Sequence, residues 1–459
     1  MSYQNLEEAL AAAGSPVKML RNSQIGPYAF PVVKHEFTNW RDEQRSWRET
    51  CALFDQSHHM TDLYVDGPDA LKLFSDLAVN SFKNFKVGQA KQFVACASDG
   101  YVIGDAILFY LSENKFNLVG RPPAANWVQY HLETTGYDCK AVRDERSAMS
   151  DGRRIMYRFQ VQGPHALKVM EKCTGKPAPD IRFFNMDVLQ VAGKEVHALR
   201  HGMVGQPGWE LFGPWEDAGA VRDAIVEAGQ EYGIRQVGAR TYPTSCLESG
   251  WIPSPLPAIY VGEETAAYRK WLGTKAYETM ASLGGSFYSD DIRDYYMTPY
   301  DLGYGPFVKF DHEFIGKKAL ETIVNNQKRK KVTLVWNGQD VMHAFGSMFD
   351  HAPEKPNGKY IDLPLANYAT LPFDKVLGGG KIIGLSTYTG YTYNERAMVS
   401  LAVIDVAHAE PGTQVSLVWG EEDGGSSKPT VERHTQVEIR ATVAPAPLAE
   451  VARVAYRPK

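Results

Sequence analysis

Apolar and polar positions alternate in short runs through the chain from residue 53 to residue 133. A period of two residues is typical of half-buried β-strands. The pattern predicts strands over 63–65, 92–95, 106–110 and 116–119. A helix is predicted between the first two strands, over 67–74, and turn residues join the later strands as hairpins. We therefore expect an α+β unit in this part of the chain.

The order of strand, Gly-Pro and helix occurs a second time. Gly67-Pro68 follows the first predicted strand, and Gly163-Pro164 follows an apolar strand over 158–162. Because an x-Ala-Leu sequence comes after both Gly-Pro pairs, we infer two α+β units of related design. A helix over 215–232 closes the second unit.

The first fifty residues predict two helices separated by a Gly/Pro loop. Asn5 opens the first helix, which ends at Gly14. Asn39 is the predicted N-cap of the second, which has acidic residues in its first turn. The loop between them carries two aromatic residues with an exposed appearance, Tyr28 and Phe30.

The C-terminal third is rich in predicted strands, beginning with one over 329–336. Its regularly spaced Gly and Asn turns favour a small β-barrel. Two glycine-dense segments, 202–208 and 378–384, fit neither a dinucleotide-binding fingerprint nor a phosphate-binding loop. The second of them predicts a hairpin turn.

Composition places the chain among ordinary globular proteins. Its 459 residues suggest about three domains, and 44% hydrophobic with 22% charged residues is an average content. The net charge of −5 excludes a basic nucleic-acid-binding surface and supplies no attraction to an anionic membrane. The aromatic content of 12% fits either large cores or a pocket for flat molecules.

Cysteine use and the N-terminal sequence indicate a cytoplasmic protein. The five cysteines are scattered without a C-x-x-C pair, so neither a disulfide framework nor a zinc knuckle is expected. Glu7 and Glu8 stand where a signal peptide has basic residues, and no apolar run is long enough for a membrane span. No metal is expected, because the pairs His58-His59 and His197/His201 lack nearby acidic or thiolate partners.

The segment 239–255 combines Tyr242, Glu248 and Trp251 directly after a long amphipathic helix. Two interpretations are open at this point. Trp251 fills a core between domains and Glu248 pairs with Arg240, or these side chains serve a functional site.

Several motifs make the chain resemble the glycine-cleavage T-protein (aminomethyltransferase) family, which binds tetrahydrofolate. They occur in the family's order between about residues 50 and 415 and comprise Ala-Leu-Phe-Asp-Gln-Ser at 52–57, Gln-Gly-Pro at 162–164, Gly-Trp-Glu-Leu at 208–211, the segment 237–250, Phe-Ile-Gly-Lys-Lys-Ala-Leu at 314–320 and Ile-Gly-Leu-Ser-Thr at 383–387.

The chain departs from the family pattern at three places, and these differences indicate a particular subgroup of the family. The chain has Ala-Arg-Thr-Tyr-Pro-Thr at 239–244 in place of Ala-Arg-Asp-x-Leu-Arg, Gly104-Asp105 in place of a paired acid, and Gly-Arg-Pro-Pro at 120–123 in place of Asn-Ala. Together with the segments 22–26 and 247–257, these substitutions are similar to those of tetrahydrofolate-dependent O-demethylases of lignin-derived methoxybenzoates. This similarity covers nearly the whole chain.

The resemblance implies an α+β fold with three domains in a clover-leaf, two of them ferredoxin-like α+β units and the third a C-terminal β-barrel. The implied ranges are 1–50 plus 151–325 for a discontinuous folate-binding domain, 51–150 for the second α+β domain and 326–459 for the barrel. Tetrahydrofolate would lie in the central hole.

The activity implied is transfer of the O-methyl group of a methoxybenzoate to N5 of tetrahydrofolate. Syringate is favoured because Phe30 lacks a hydroxyl and suits a more apolar ring edge; vanillate and 3-O-methylgallate are the other candidates. The alternatives are an aminomethyltransferase or dimethylglycine-type enzyme and a non-catalytic folate-binding protein, whose K-G-C-x-x-G-Q segment is not found. The expected partners are the two small molecules, without nucleic acid, membrane or an obligatory protein partner.

Demethylation of an aryl ether needs a donor for the departing phenolate and groups that orient the substrate. Tyr242 replaces an acidic family position, and its unperturbed pKa of about 10 matches a phenol; the alternative is a core tyrosine bonded to the backbone. Arg121 is the expected partner of the substrate carboxylate or of oxygens on its ring; the alternative is a surface arginine. His59 would bind the ring hydroxyl or carboxylate, or be a buried structural histidine. Tyr28 and Phe30 would enclose the arene, or anchor their loop.

Residues for the folate follow from the resemblance. Glu210 and Gln160 would bind the amide-like edge of the pterin, Trp251 would stack on its face, and Asp105 is a further candidate. Gln162 competes with Gln160, because residues two apart on a strand face the same side.

Overall fold

The computed structural model of the chain describes residues 3–253, 255–351, 355–425 and 428–454. In chain order, its helices are α1 Leu6–Ala13, α2 Pro16–Arg21, α3 Trp40–Glu49, α4 Ala70–Leu77, α5 Pro122–Thr134, α6 Ala166–Thr174, α7 Ala218–Gly229, α8 Ser245–Ser249, α9 Ala266–Trp271, α10 Tyr277–Met280, α11 Lys317–Ile323, α12 Gly338–Gly346 and α13 Glu450–Val454.

Its strands, also in chain order, are β1 Cys51–Asp55, β2 Thr61–Asp66, β3 Gln89–Cys96, β4 Val102–Ser112, β5 Lys115–Gly120, β6 Lys140–Asp144, β7 Met156–Gln162, β8 Met186–Val191, β9 Lys194–Arg200, β10 Gly208–Pro214, β11 Ile234–Val237, β12 Leu283–Gly284, β13 Arg329–Trp336, β14 Leu371–Pro372, β15 Asp374–Gly378, β16 Lys381–Thr392, β17 Ala397–Asp405, β18 Gln414–Trp419 and β19 Val437–Ala444.

A five-stranded sheet in the order β3-β4-β5-β2-β6 forms the first α+β unit. Leu73 and Phe74 of α4 and Val128 of α5 are buried with Leu63 and Phe93 of the sheet in one apolar core. The predicted strands and the predicted helix of this segment are confirmed.

The second unit is a six-stranded sheet in the order β11-β1-β7-β10-β9-β8. Val169 of α6 and Ile225 of α7 are buried with Leu211 of β10. The predicted helix over 215–232 is confirmed as α7 with a 3-10 turn at each end.

Matching glycines end the corresponding strands β2 and β7. Gly67 has a φ of 150° and Gly163 a φ of 130°. A Cβ on Gly67 would lie 2.5 Å from the Asp138 carbonyl oxygen, and one on Gly163 would lie 2.6 Å from that of Thr50. Both turns therefore require glycine for the same steric reason, which supports the inference of related units.

The C-terminal third contains a closed barrel in the order β13-β17-β16-β15-β18-β19. Its first strand matches the prediction over 329–336, and Gly379 and Gly380, at φ 57° and 78°, form the predicted hairpin turn between β15 and β16. The α+β fold with a C-terminal barrel is thus confirmed.

The structure differs from the expected domain ranges at β1. This strand follows residue 50, yet it pairs with β7 and β11 of the six-stranded sheet, with Ala52 opposite Gln162. The order of strands along the chain could not show this pairing, because both partners lie more than a hundred residues away. The three ranges otherwise stay predictions, and residues 1–2, 254, 352–354, 426–427 and 455–459 lie outside the described residues.

The N-terminal segment contains one helix more than predicted. Asn5 and Asn39 cap α1 and α3 as expected, and Gly14 ends α1 in the left-handed region. Ser15 then caps the short helix α2, with Pro16 in its first position, where proline is well tolerated. Among the described residues, no helix has the length and apolar character needed to cross a bilayer.

Candidate active site

Three of the predicted residues meet in an aromatic cluster formed by separate loops. Phe30 comes from the loop between α2 and α3, His59 from the β1–β2 connection and Tyr242 from the turn after β11. The ring centroids lie 4.7 Å apart for Phe30 and His59, 5.1 Å for Phe30 and Tyr242, and 4.7 Å for His59 and Tyr242. The structure therefore brings together residues that sequence analysis selected from three distant segments.

The Tyr242 hydroxyl is held by an amide side chain. Gln56 donates its Nε2–H to the Tyr242 oxygen over 3.1 Å, and Phe54 packs edge-on against the ring. Burial raises the pKa of Tyr242, and the Gln56 hydrogen bond opposes that shift. The group is thus a protonated phenol at neutral pH. Within the described part of the chain, its hydroxyl is bonded to this amide and to no backbone group.

His59 is buried in an environment that disfavours its charged form. Burial lowers the pKa of His59 to about 3, with Arg121, Arg154 and His58 adding repulsion. Its imidazole is consequently neutral near pH 7 and offers one donor and one acceptor nitrogen.

The neutral state of His59 can be tested by NMR. We expect its imidazole resonance, assigned with a His59→Gln variant, to keep a constant chemical shift between about pH 8 and pH 5, because protonation would place a charge in a dry site beside guanidinium groups. A ¹H–¹³C titration of the Cε1–H group measures this. A midpoint near about pH 6.5, as for histidine in water, contradicts the expectation.

Arg121 is fixed at the start of α5, directly before Pro122. Its guanidinium carbon lies 4.1 Å from the centre of the Tyr28 ring. Tyr28 in turn donates its hydroxyl proton to the His59 carbonyl oxygen. Among the described residues, Arg121 forms no ion pair with a carboxylate, so its charge is available to an anionic ligand.

A second group of polar residues surrounds Asp105 on β4. Its Oδ2 atom accepts hydrogen bonds from Tyr304 at 2.7 Å, Gln92 at 3.1 Å and Trp251 at 3.3 Å. Burial raises the pKa of Asp105, whereas the Tyr304 and Trp251 hydrogen bonds and the Arg121 charge oppose that shift.

Trp251 does not fill an interdomain core, so that interpretation is wrong. The residue is 38% exposed, and its indole N–H donates to Asp105 and, over 2.8 Å, to the Tyr304 oxygen. One part of the ring is therefore free to stack on a flat ligand.

Glu248 does not pair with Arg240 either. Its carboxylate receives hydrogen bonds from Arg48 at 2.8 Å, from Thr392 at 2.8 Å and from Trp47 at 3.1 Å. Arg240 instead donates to the Leu363 carbonyl oxygen. Because α8 packs against α3 and the β16–β17 hairpin, Glu248 has a structural role between these elements.

Gln160, Gln162 and Glu210 lie on neighbouring strands, with Glu210 opposite Gln160 in the register. Gln160 donates to the His201 carbonyl oxygen at 2.8 Å, and Gln162 accepts from the Met203 amide at 2.7 Å. In the described chain, the Gln160 Oε1 and Gln162 Nε2 atoms are buried without a partner. The two residues thus differ in what they offer: Gln160 has a free acceptor and Gln162 a free donor.

The space beside these side chains depends on a glycine. A Cβ on Gly208 would lie 2.9 Å from the Gln160 Nε2 atom and 2.8 Å from the Gln162 Cβ. His201 adds a further buried nitrogen, Nδ1, which lies 3.7 Å from a Glu210 oxygen. Buried donor and acceptor atoms without partners are therefore grouped at the β7–β10 strand pair.

A buried ion network supports Glu210 from behind. Arg158 donates to Glu210 and, over 3.1 Å, to Asp62. Arg154 binds the same Asp62 at 2.8 Å and Asp144 at 3.0 Å. Since Asp62 lies on the five-stranded sheet and Glu210 on the six-stranded one, the network joins the two α+β units at the site.

The two groups of residues approach each other at one small depression. Asp105 and Arg121 both line it, together with Ile103, Pro123 and Pro255. A ligand near Asp105 and another beside Arg121 would consequently be neighbours.

Sequence analysis missed Gln56, Tyr304 and Tyr277. Gln56 belongs to the motif at 52–57 and lies two residues before His58-His59, so the sequence contained a signal for its place near the site. Tyr304 and Tyr277 belong to no motif, and only the tertiary structure brings them to Asp105 and Tyr28.

The site has relatives of known activity. The family model described as the GCVT N-terminal domain matches residues 4–254. A syringate O-demethylase from Sphingobium sp. (strain NBRC 103272 / SYK-6) is 50% identical over 98% of this chain and 97% of its own length. A sesamin methylene transferase from Sinomonas sp. (strain No.22) is 30% identical over 85% of this chain and 87% of its own length.

A solved structure shares the fold. The glycine cleavage system aminomethyltransferase T from Bartonella henselae aligns with a TM-score of 0.59 and 19% identity, over 96% of both chains.

Proposed function

We infer the function from one premise: the chain belongs to the glycine-cleavage T-protein (aminomethyltransferase) family, whose cofactor is tetrahydrofolate. We propose that it is an O-demethylase of lignin-derived methoxybenzoates, with syringate as the preferred substrate. The identity of 50% to a syringate O-demethylase over nearly the whole chain supports this proposal. The observation that carries it is the half-buried Tyr242 phenol near the Arg121 guanidinium, which forms no ion pair with a carboxylate of the described residues.

The residues on the Gln160 side of the site fit the cofactor. Buried donor and acceptor atoms without partners suit the pterin edge, so Gln160 and Glu210 would hold it, with Gln162 as an additional donor. Trp251 would stack on its face and Asp105 would lie close by. When bound, tetrahydrofolate supplies N5 as the methyl acceptor.

Arg121 and the aromatic residues orient the substrate. The guanidinium binds the carboxylate, while Phe30 and Tyr28 pack against the arene. His59 is neutral and so accepts or donates a hydrogen bond to a ring oxygen without adding charge. Orientation of the methoxy group by these contacts lowers the entropic part of the barrier.

Tyr242 assists the departure of the aryl oxygen as the leaving group. When the bond between the methyl carbon and the aryl oxygen breaks, the electron pair stays on that oxygen as a phenolate. The Tyr242 hydroxyl donates its proton, or a hydrogen bond, to this oxygen. Gln56 remains as a donor to the Tyr242 oxygen and stabilises the charge that develops there.

Incubation of the purified protein with tetrahydrofolate and each candidate acid tests the proposal. We expect demethylated acid from syringate, with lower kcat/KM for vanillate and 3-O-methylgallate, measured by liquid chromatography. Aminomethyl-lipoyl protein serves as the substrate of the alternative activity. Turnover of that protein without any demethylated acid would refute the proposed function.

A further inference from the structure

A second arginine without a carboxylate partner lies at the substrate end of the site. The Arg146 guanidinium carbon is 5.3 Å from the centre of the Tyr28 ring, on which Arg121 also packs. Arg146 forms no ion pair among the described residues, and its Nε atom is buried without a partner. Sequence analysis did not select this residue, and the proposed function has not used it.

The neighbouring acid cannot neutralise Arg146. Glu145 uses one oxygen to bind Arg143 at 2.9 Å and the other to accept from Thr61 at 2.6 Å. The loop itself is firmly placed, because the Ser147 amide donates to the His58 carbonyl oxygen at 2.9 Å. Arg146 is therefore held beside the cluster with its charge uncompensated.

Tyr277 supplies a third group at the same place. Its side chain is 4% exposed, and its hydroxyl makes no hydrogen bond of good geometry within the described chain. The ring lies 6.4 Å from that of Tyr28. Burial raises the pKa of Tyr277, while the charge of Arg121, a weak Arg121 hydrogen bond and the charge of Arg146 oppose that shift.

Two like charges close together cost free energy unless an anionic ligand joins them, and the buried Tyr277 hydroxyl lies beside them as a further donor. A carboxylate has enough lone pairs to accept from all three groups. We propose that Arg146 and Tyr277 complete, with Arg121, a clamp for the substrate carboxylate and so make the enzyme specific for aromatic acids over their uncharged analogues. This inference rests on the proposed function for the identity of the substrate.

The test compares syringate with syringaldehyde, which has the same ring substituents but no carboxylate. Binding is measured by calorimetry without tetrahydrofolate, so that affinity is separated from demethylation. We expect Arg146→Met to weaken syringate binding by about 10–100-fold, because hydrogen bonds to charged groups contribute about 1.5–3 kcal/mol. Affinity for syringaldehyde should change less than about twofold.

Two further variants probe the geometry of the clamp. Arg146→Lys keeps the charge but loses the planar donor pair, and we expect it to recover only part of the affinity. Tyr277→Phe should weaken syringate binding by about 3–10-fold through loss of one hydrogen bond. In steady-state assays the variants should raise KM for syringate with little change in kcat, as expected for uniform binding.

Arg153→Met is the matched control, because it removes an exposed arginine between β6 and β7 and leaves the Arg143–Glu145 pair intact. We expect it to leave both affinities unchanged. The clamp is refuted if Arg146→Met leaves syringate affinity unchanged, weakens both ligands equally, or if the native protein binds no aromatic acid. If syringate binds in the way described but is not demethylated, the clamp stands and the proposed function fails.

Discussion

Tyr242→Phe is expected to lower kcat for syringate by about 10²–10⁴-fold, the contribution usually made by a positioned general acid. In the proposed function the phenol is the donor to the departing phenolate, and its raised pKa keeps it protonated at neutral pH. Since the phenylalanine ring keeps the contacts with Phe30 and His59, we expect KM to change little. Single-turnover assays with excess enzyme measure the effect on the chemical step.

Substrates whose leaving groups differ in basicity distinguish a proton-donating tyrosine from one that only packs against its neighbours. A 6-nitro analogue of vanillate, with the nitro group para to the methoxy-bearing carbon, releases a much weaker base, so it needs less help from an acid. The Tyr242→Phe variant should therefore lose far less activity on this analogue than on vanillate. Equal losses on both substrates would show that Tyr242 acts by packing.

Tyr388→Phe provides a matched control. Tyr388 is also buried, and its hydroxyl donates to the Pro243 carbonyl oxygen at 3.1 Å. The same atom is thus removed near the site, at a residue to which no chemical role is given. We expect kcat to stay within about threefold of the native value. The hydrogen bond that is lost stabilises the protein by only about 0.5–1.5 kcal/mol and involves no reacting group.

The fold could be predicted where local patterns determine it. Alternation of apolar and polar residues located the strands of the five-stranded sheet, and the Gly-Pro turns revealed the related units, because Gly67 and Gly163 meet the same steric demand. The place of β1 could not be predicted, because its pairing with β7 and β11 joins segments far apart in sequence. Nor could the helix α2 be seen in a segment as short as Pro16–Arg21.

The candidate site shows a similar division. Phe30, His59 and Tyr242 were selected by resemblance, and only the fold could reveal that they form one cluster. Their roles remain predictions. Gln56 and Tyr277 acquire meaning solely from partners that lie far away in the sequence, Tyr242 and Tyr28. The hydrogen-bond partners of individual side chains were the hardest feature to predict. Glu248 accepts from Arg48, two hundred residues away, and not from the nearby Arg240.

Arg158→Met is expected to destabilise the protein by about 3–5 kcal/mol, because it removes one partner from a buried ion network and leaves carboxylates without compensation. Glu210 loses its guanidinium donor and Asp62 keeps only Arg154 and Asn117. Methionine fills a similar volume, so loss of packing contributes little. In a thermal scan we expect Tm to fall by about 5–10 °C.

An exposed pair provides the comparison that isolates burial as the cause. Arg45 and Glu49 form an i,i+4 ion pair with side chains 48% and 55% exposed. Arg45→Met should cost less than about 0.5 kcal/mol, because water already screens that pair. If the Arg158 and Arg45 variants melt at the same temperature, the network contributes no more than a surface pair. A large difference instead means that the charge supporting Glu210 also holds the two α+β units together, so that the edge proposed to bind the pterin and the contact between the units depend on the same arginine.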